Sequence, residues 1–266
     1  MYRFKKGISL LVTTALLCLL CAGVVPAAAA DYILDPALAK GLVERDIIRI
    51  ITPGTLTDST VIGERRNNFL CSVCIQGKRV GLSWCDVSTG EFFTQQLPFE
   101  EASLRSSLLS LNPGEIITTD VDILLPLCPV RPHLYSASAF QNAKAQEALF
   151  EHFEVSNLLA LGMEKSQSLA ACAAGALMRY LWDTQKNALQ HITRLQIVEK
   201  GETMPLDVST RRNLELTETL RSRSAKGSLL SVLDQTVTAM GGRLLRAWVE
   251  KPLLNKEKIE ARLGAV

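Results

Sequence analysis

The chain has 266 residues, of which 47% are hydrophobic and 21% charged. That balance excludes an intrinsically disordered polypeptide and allows one or two domains of about 100–200 residues each. Lys and Arg number 29 against 27 Asp and Glu, a formal charge of +2. This excludes a globally basic nucleic-acid footprint, so any contact with phosphate has to come from local clustering.

The first thirty residues read as a separate unit. Arg3, Lys5 and Lys6 form a basic start, residues 8–25 are uncharged and mostly apolar, and Ala28-Ala29-Ala30 offers small residues before Asp31. This is the layout of a secretory signal peptide cleaved after Ala30. The alternatives are a membrane anchor, since the run approaches the roughly 20 residues needed to span a bilayer, and a foreign segment joined through a false gene start. Beyond it, Cys71, Cys74, Cys85, Cys128 and Cys172 form an odd set with no regular framework. A chain of this size needs no disulfide staples, so the cysteines point to the cytoplasm while the N-terminus points to export.

Residues 37–42 predict a short helix and residues 46–52 a β-rich run, with Pro53-Gly54 as a turn. From 68 to 97 apolar and polar positions alternate, which predicts strands, with turns at Gly77-Lys78 and Ser88-Thr89-Gly90. Leu104, Leu108 and Leu111 mark a helix. Asn112-Pro113-Gly114 ends it before a buried strand at 115–118. Helices are expected at 149–161 and at 168–181, the latter rich in alanine, and a strand at 195–200. Strands alternating with helices argue for an α/β domain.

The last third is helical by pattern. Leu229, Leu230, Leu233, Val237 and Met240 recur at three- and four-residue spacing behind an N-cap at Ser228. Leu244, Leu245, Trp248 and Val249 continue it to Lys251-Pro252, where the proline breaks it. Ile259 and Leu263 begin another helix. A helical bundle only begun is expected to leave Leu229, Leu233, Trp248 and Val249 as an apolar patch.

Several groups invite chemistry. Cys71-x-x-Cys74 with Cys85 lacks the further ligands of a zinc site, and two residues three apart in a strand face opposite sides, so these are expected as core cysteines. Asp86 and Glu91 flank a turn as the start of a two-metal carboxylate cluster would, but nothing in the sequence brings Asp120 and Asp122 to them. His133, His152 and His191 are scattered, with no metal-ligand spacing. Arg211, Arg212, Arg221, Arg223 and Lys226 form a local basic run, interspersed with Glu215 and Glu218, that offers a possible contact to DNA phosphates. No GxxxxGK[ST] phosphate loop occurs, and Gly241-Gly242 lies inside a helical pattern. No catalytic, cofactor-binding or metal-ligating residue is therefore assigned.

LDVSTRRNLEL from Leu206, SLLSVLDQTVTAMGGRLLRAWVEKPL from Ser228 and the IEARLGAV ending resemble the opening of the core, or lever, domain of the MutS family of mismatch-repair proteins. AAGALMRYLWDTQKNALQHI from Ala173 is similar to that family's helix leading from its connector to its core. The resemblance runs from about Asp35 to Val266. It implies the tail of a mismatch-recognition domain at 31–60, an α/β connector with an RNase H-like mixed sheet at 61–185, and the all-α start of a lever at 186–266. It also implies a family role in binding mismatched double-stranded DNA coupled to ATP and magnesium, with MutL as partner, a homodimer as the intact assembly and a cytoplasmic setting. The family's Phe-x-Glu mismatch wedge and its ATPase domain lie outside the matched region, so the chain is not expected to be an enzyme. The competing expectations are an exported interaction module and a remnant of a truncated reading frame.

Overall fold

A computed structural model describes residues 27–32, 45–56, 67–186, 189–198, 201, 203–204 and 206–265. The basic start, the apolar run at 8–25 and the expected helix at 37–42 lie outside these residues. Strand β1 (Ala27–Tyr32) pairs antiparallel with β2 (Arg45–Ile51), with an irregular register between Ala29 and Ala30. The expected cleavage point after Ala30 thus falls within a paired strand. Among the described residues no helix is long and apolar enough to cross a membrane.

The alternating pattern after Asn68 becomes an antiparallel meander of β3 (Phe69–Gln76), β4 (Arg79–Asp86) and β5 (Glu91–Pro98). Helix α1 (Glu101–Leu111) returns the chain so that β6 (Glu115–Thr118) pairs parallel to β3. After α2 (Val121–Leu124), β7 (His133–Leu134) adds parallel to β6. Helices α3 (Asn142–Phe153) and α4 (Ser168–Gln185) follow, and β8 (Leu195–Ile197) closes the other edge parallel to β5. The strand order is β7-β6-β3-β4-β5-β8. This is the mixed sheet with flanking helices that the resemblance implies.

Side-chain alternation sorts the sheet into two faces. Cys71, Val73, Val80, Leu82, Trp84 and Ile116 turn to one face and are covered by Leu104, Leu108 and Leu111 of α1 and Leu124 of α2. Leu70, Cys85, Phe92 and Ile117 turn to the other, where α4 lies with its alanines inward. The approach of α4 is close. A Cβ on Gly81 would stand 1.9 Å from the Leu169 carbonyl oxygen, and one on Gly175 would stand 2.2 Å from that of Ala145 in α3. Several polar side chains on this face bond to the helix backbone or to each other, whereas the buried Ser72 hydroxyl bonds to no described residue. Thr94 Oγ1 donates to the Ala170 carbonyl at 3.0 Å and shares a 2.7 Å bond with Ser83 Oγ. Gln96 Oε1 accepts from the Leu169 amide at 3.1 Å, so a strand residue caps the first turn of α4.

Three sequence expectations change. The helix expected at 149–161 is α3, which begins seven residues earlier, at Asn142, and stops where Glu154 takes a left-handed conformation with φ of 54°; Leu158–Leu161 is a separate 3-10 turn. The strand expected at 195–200 pairs over Leu195–Ile197 among the described residues, and residues 199–200 lie outside them. The single helical run through Val237 and Met240 is broken. After α5 (Val208–Asn213), α6 spans only Leu229–Leu233, capped by Ser228 as expected. Asp234 then accepts from the amide and hydroxyl of Thr236, a local turn that competes with helix. Thr238 caps α7 (Ala239–Glu250), and Asn255 caps α8 (Lys256–Gly264). Val237, left between two helices, is 95% exposed. Leu229 and Leu233 are exposed as expected, whereas Trp248 and Val249 are half-buried.

Candidate functional site

The carboxylates separate by sheet end. Asp86 pairs opposite Phe69, and Glu115 stands in register with Leu70, while Thr118 aligns with Val73 and leads to Asp120 at the far end. Asp86 is fully buried and accepts from the Ser88 amide (2.8 Å) and hydroxyl (2.6 Å) and from the Asn68 amide (3.2 Å). Glu91 accepts from Asn67 Nδ2 at 2.9 Å. Their bonds fix the turn and the strand entry. Sequence reading missed the third carboxylate at this end. Glu115 Oε1 accepts from Tyr180 Oη at 2.6 Å, and Oε2 accepts from Thr52 Oγ1 at 2.5 Å and from the Gly54 amide at 3.0 Å. It ties β6, α4 and the turn after β2 together. Among the described residues, no group of three or more His, Cys, Asp or Glu is placed to hold a metal ion.

Cys71 and Cys74 face opposite sides of β3, one beside Trp84 and the other beside Cys172 of α4. All five described cysteines are free. Burial raises the thiols of Cys71 and Cys85, and burial followed by the nearby Glu115 raises the Tyr180 phenol. Groups held protonated by the fold stabilise it fully below their ordinary values, 9.0 for cysteine and 10.0 for tyrosine, and that contribution is lost as pH rises above them. The urea midpoint is therefore expected to fall steadily above pH 9.0. A midpoint unchanged from neutrality to about pH 11 would contradict these assignments. His152 Nε2 donates to the Ile192 carbonyl at 2.9 Å and His191 Nε2 to that of Val87 at 2.6 Å, so both act as tethers. His133 sits in β7.

The five basic residues differ in exposure. Arg212, Arg221, Arg223 and Lys226 are exposed. Arg212 and Arg223 share a shallow cleft with Arg211, Glu218 and Glu250. Arg211 is half-buried, its Nε donating to the Leu206 carbonyl at 3.2 Å. It also lines a second cleft of about 370 Å³ between α1 and the segment that follows β8. Lys251 enters that cleft with Nζ 5.4 Å from the centroid of Trp84, whose ring stacks on Phe93 at 5.5 Å. Burial lowers the Lys251 ammonium from its usual range, and the Arg211 charge lowers it further. The helical segment is fastened to the sheet domain here. Met204 donates its amide to the Pro252 carbonyl at 2.8 Å, Thr203 bridges to Leu253, and Arg243 donates to Ser88 Oγ at 3.0 Å.

The Gly241 amide bonds to the Thr238 hydroxyl and the Gly242 amide to the Thr238 carbonyl, so neither cradles a phosphate.

Two family models match the chain in order: MutS domain II over residues 68–193 and MutS domain III over residues 209–266. The DNA mismatch repair protein MutS of Alkaliphilus oremlandii is 38% identical over 248 residues, covering 89% of this chain and 28% of that protein. That of Ruminiclostridium cellulolyticum is 41% identical over 246 residues, with 89% and 28% covered, and that of Clostridium perfringens is 40% identical over 244, with 89% and 26% covered. The chain thus spans about a quarter of the length of the curated relatives it matches. With the mixed sheet, its alanine-lined helix and the helices after Val208 in the order of the two matched domains, the chain belongs to the MutS family.

Proposed function

We propose that this chain is a coupling segment of DNA mismatch repair, in which residues 61–185 act as the connector and residues 186–266 as the start of a lever between mismatched duplex DNA and an ATP-hydrolysing part. The carrying observation is the ordered match to domains II and III, together with 89% coverage by proteins named for DNA mismatch repair. The fastening of the helical segment onto the sheet through Lys251, Met204 and Arg243 supports it, because displacement of one part is passed to the other through direct contacts. In this reading mismatch recognition and ATP turnover reside in parts of the relatives that this chain does not span, MutL and a second MutS-type subunit are partners of the larger assembly, and the setting is cytoplasmic, in keeping with free cysteines. Arg212, Arg221, Arg223 and Lys226, being exposed, are the side chains offered to DNA phosphates, with Arg211 at their buried edge.

The test uses the purified chain on a G·T duplex and its matched homoduplex over a salt series. Equal, salt-sensitive affinity for both is expected, with the salt slope falling by about 1 for each of Arg221→Gln and Arg223→Gln, and with no ATP hydrolysis. A preference for the mismatch of about tenfold or more, or ATP turnover by the chain, would overturn the proposal.

A further inference from the structure

We infer that the cleft between α1 and the segment after β8 is a binding site for a phosphate-class oxyanion, with room beside it for the organic part of a phosphate ester. The inference goes beyond the coupling role and does not depend on it. Two cations, Arg211 and Lys251, line one partly buried cleft, each deprived of water, and the Arg211 charge adds to the cost of charging Lys251. Neither makes an ion pair with a described residue. Glu250, whose charge acts on both, is already bonded to Arg246 Nε at 2.9 Å. Glu91 acts on Lys251 too, but its carboxylate accepts from Asn67. Asp207, at the cleft edge, is exposed and accepts from the Thr210 amide.

The opposite wall supplies neutral donors. Ser106, Ser107 and Ser110 of α1 line the cleft. Ser107 Oγ donates to the Ser103 carbonyl at 3.0 Å, while the Ser106 and Ser110 hydroxyls make no hydrogen bond with a described residue. A guanidinium fork, an ammonium and hydroxyl donors facing one space suit a tetrahedral oxyanion, which accepts from several directions and cancels the two charges. The cleft, at about 370 Å³, exceeds a single phosphate ion, and its remaining wall is the Trp84 ring with Leu82 and Leu97. That apolar wall fits the organic part of an ester.

The experiment is isothermal titration of the full chain with inorganic phosphate, a mononucleoside monophosphate and a short DNA duplex at matched ionic strength, with chloride as reference. Saturable phosphate binding in the roughly millimolar range is expected, weakened about tenfold by Arg211→Gln and by Lys251→Gln and unchanged by Lys144→Gln, an exposed position in α3 on the other side of the sheet. Because Lys251→Gln also disturbs the contact with Trp84, Ser106→Asp provides a second arm. It places a carboxylate in the wall without touching the sheet and should abolish binding with an unchanged circular dichroism spectrum. Tighter binding of the mononucleotide than of phosphate assigns the site to a free ester, and displacement of phosphate by the duplex assigns it to a nucleic-acid backbone. Either result supports the site. Absence of saturation, or equal binding by Ser106→Asp and the parent, overturns it.

Discussion

Replacing Glu115 by alanine is expected to remove about 4 kcal/mol from the stability of the sheet domain, close to a thousandfold in the folding equilibrium. Glu115 is 4% exposed, and its carboxylate is the shared acceptor for the Tyr180 and Thr52 hydroxyls and the Gly54 amide. Truncation leaves these donors buried beside a cavity, and an orphaned buried donor costs more than an ordinary hydrogen bond is worth. Glu115→Gln keeps the volume and one acceptor oxygen, so its loss should be smaller, about 1–2 kcal/mol. Tyr180→Phe removes one donor and should be markedly less harmful when Glu115 is already Ala, since the interaction it deletes is then absent. Urea titrations of the single and double variants measure all of this. An alanine variant within about 1 kcal/mol of the parent would show that the three donors find other partners.

Gly81→Ala is the second large effect, and it arises from crowding. The added Cβ would lie 1.9 Å from the Leu169 carbonyl oxygen and 2.3 Å from its carbonyl carbon, both backbone atoms of α4 that cannot rotate away. Relief requires the helix to lift from the sheet, which separates the apolar surfaces beneath it, and a loss of about 3 kcal/mol or more is expected. Gly264→Ala is the control. Among the described residues beyond its own helical turn and neighbours, nothing lies within 4 Å of a Cβ at Gly264, in α8, so that change should leave stability equal or slightly raised. Thermal unfolding of the two variants decides between them, and similar midpoints for both would refute the crowding argument.

The sheet and its main helices were legible in the sequence because their signals are local and redundant. Alternation from Asn68, the turns at Gly77-Lys78 and Ser88-Thr89-Gly90, and the Leu104–Leu108–Leu111 spacing each specify an element without reference to partners. Ends were less legible where apolar spacing persists through a chain reversal. The leucines at 149–161 keep a helical rhythm across Glu154, and the Asp234 to Thr238 stretch breaks an otherwise good pattern through side-chain bonds to its own backbone. The placement of Arg211 and Lys251 in one cleft was not legible, since the two come from α5 and from the residue that follows α7. The serines of α1 carried a usable signal, recurring at helical spacing beside the leucine stripe. Glu115 was read only as part of a buried strand, and its partners Thr52 and Tyr180 come from either side of it in the chain.

At Gly81 and Gly175 the distances between α4 and the sheet, and between α4 and α3, are set by main chain resting on main chain. An interface lined by long side chains can absorb a push by changing rotamers, like a cushion. At these two points no side chain lies between the bearing surfaces, while the other end of α4 is tied to β2 by Gln185 Nε2, which donates to the Ile50 carbonyl at 3.1 Å. In mechanical terms α4 at these two contacts is a strut, and moving it means moving main chain.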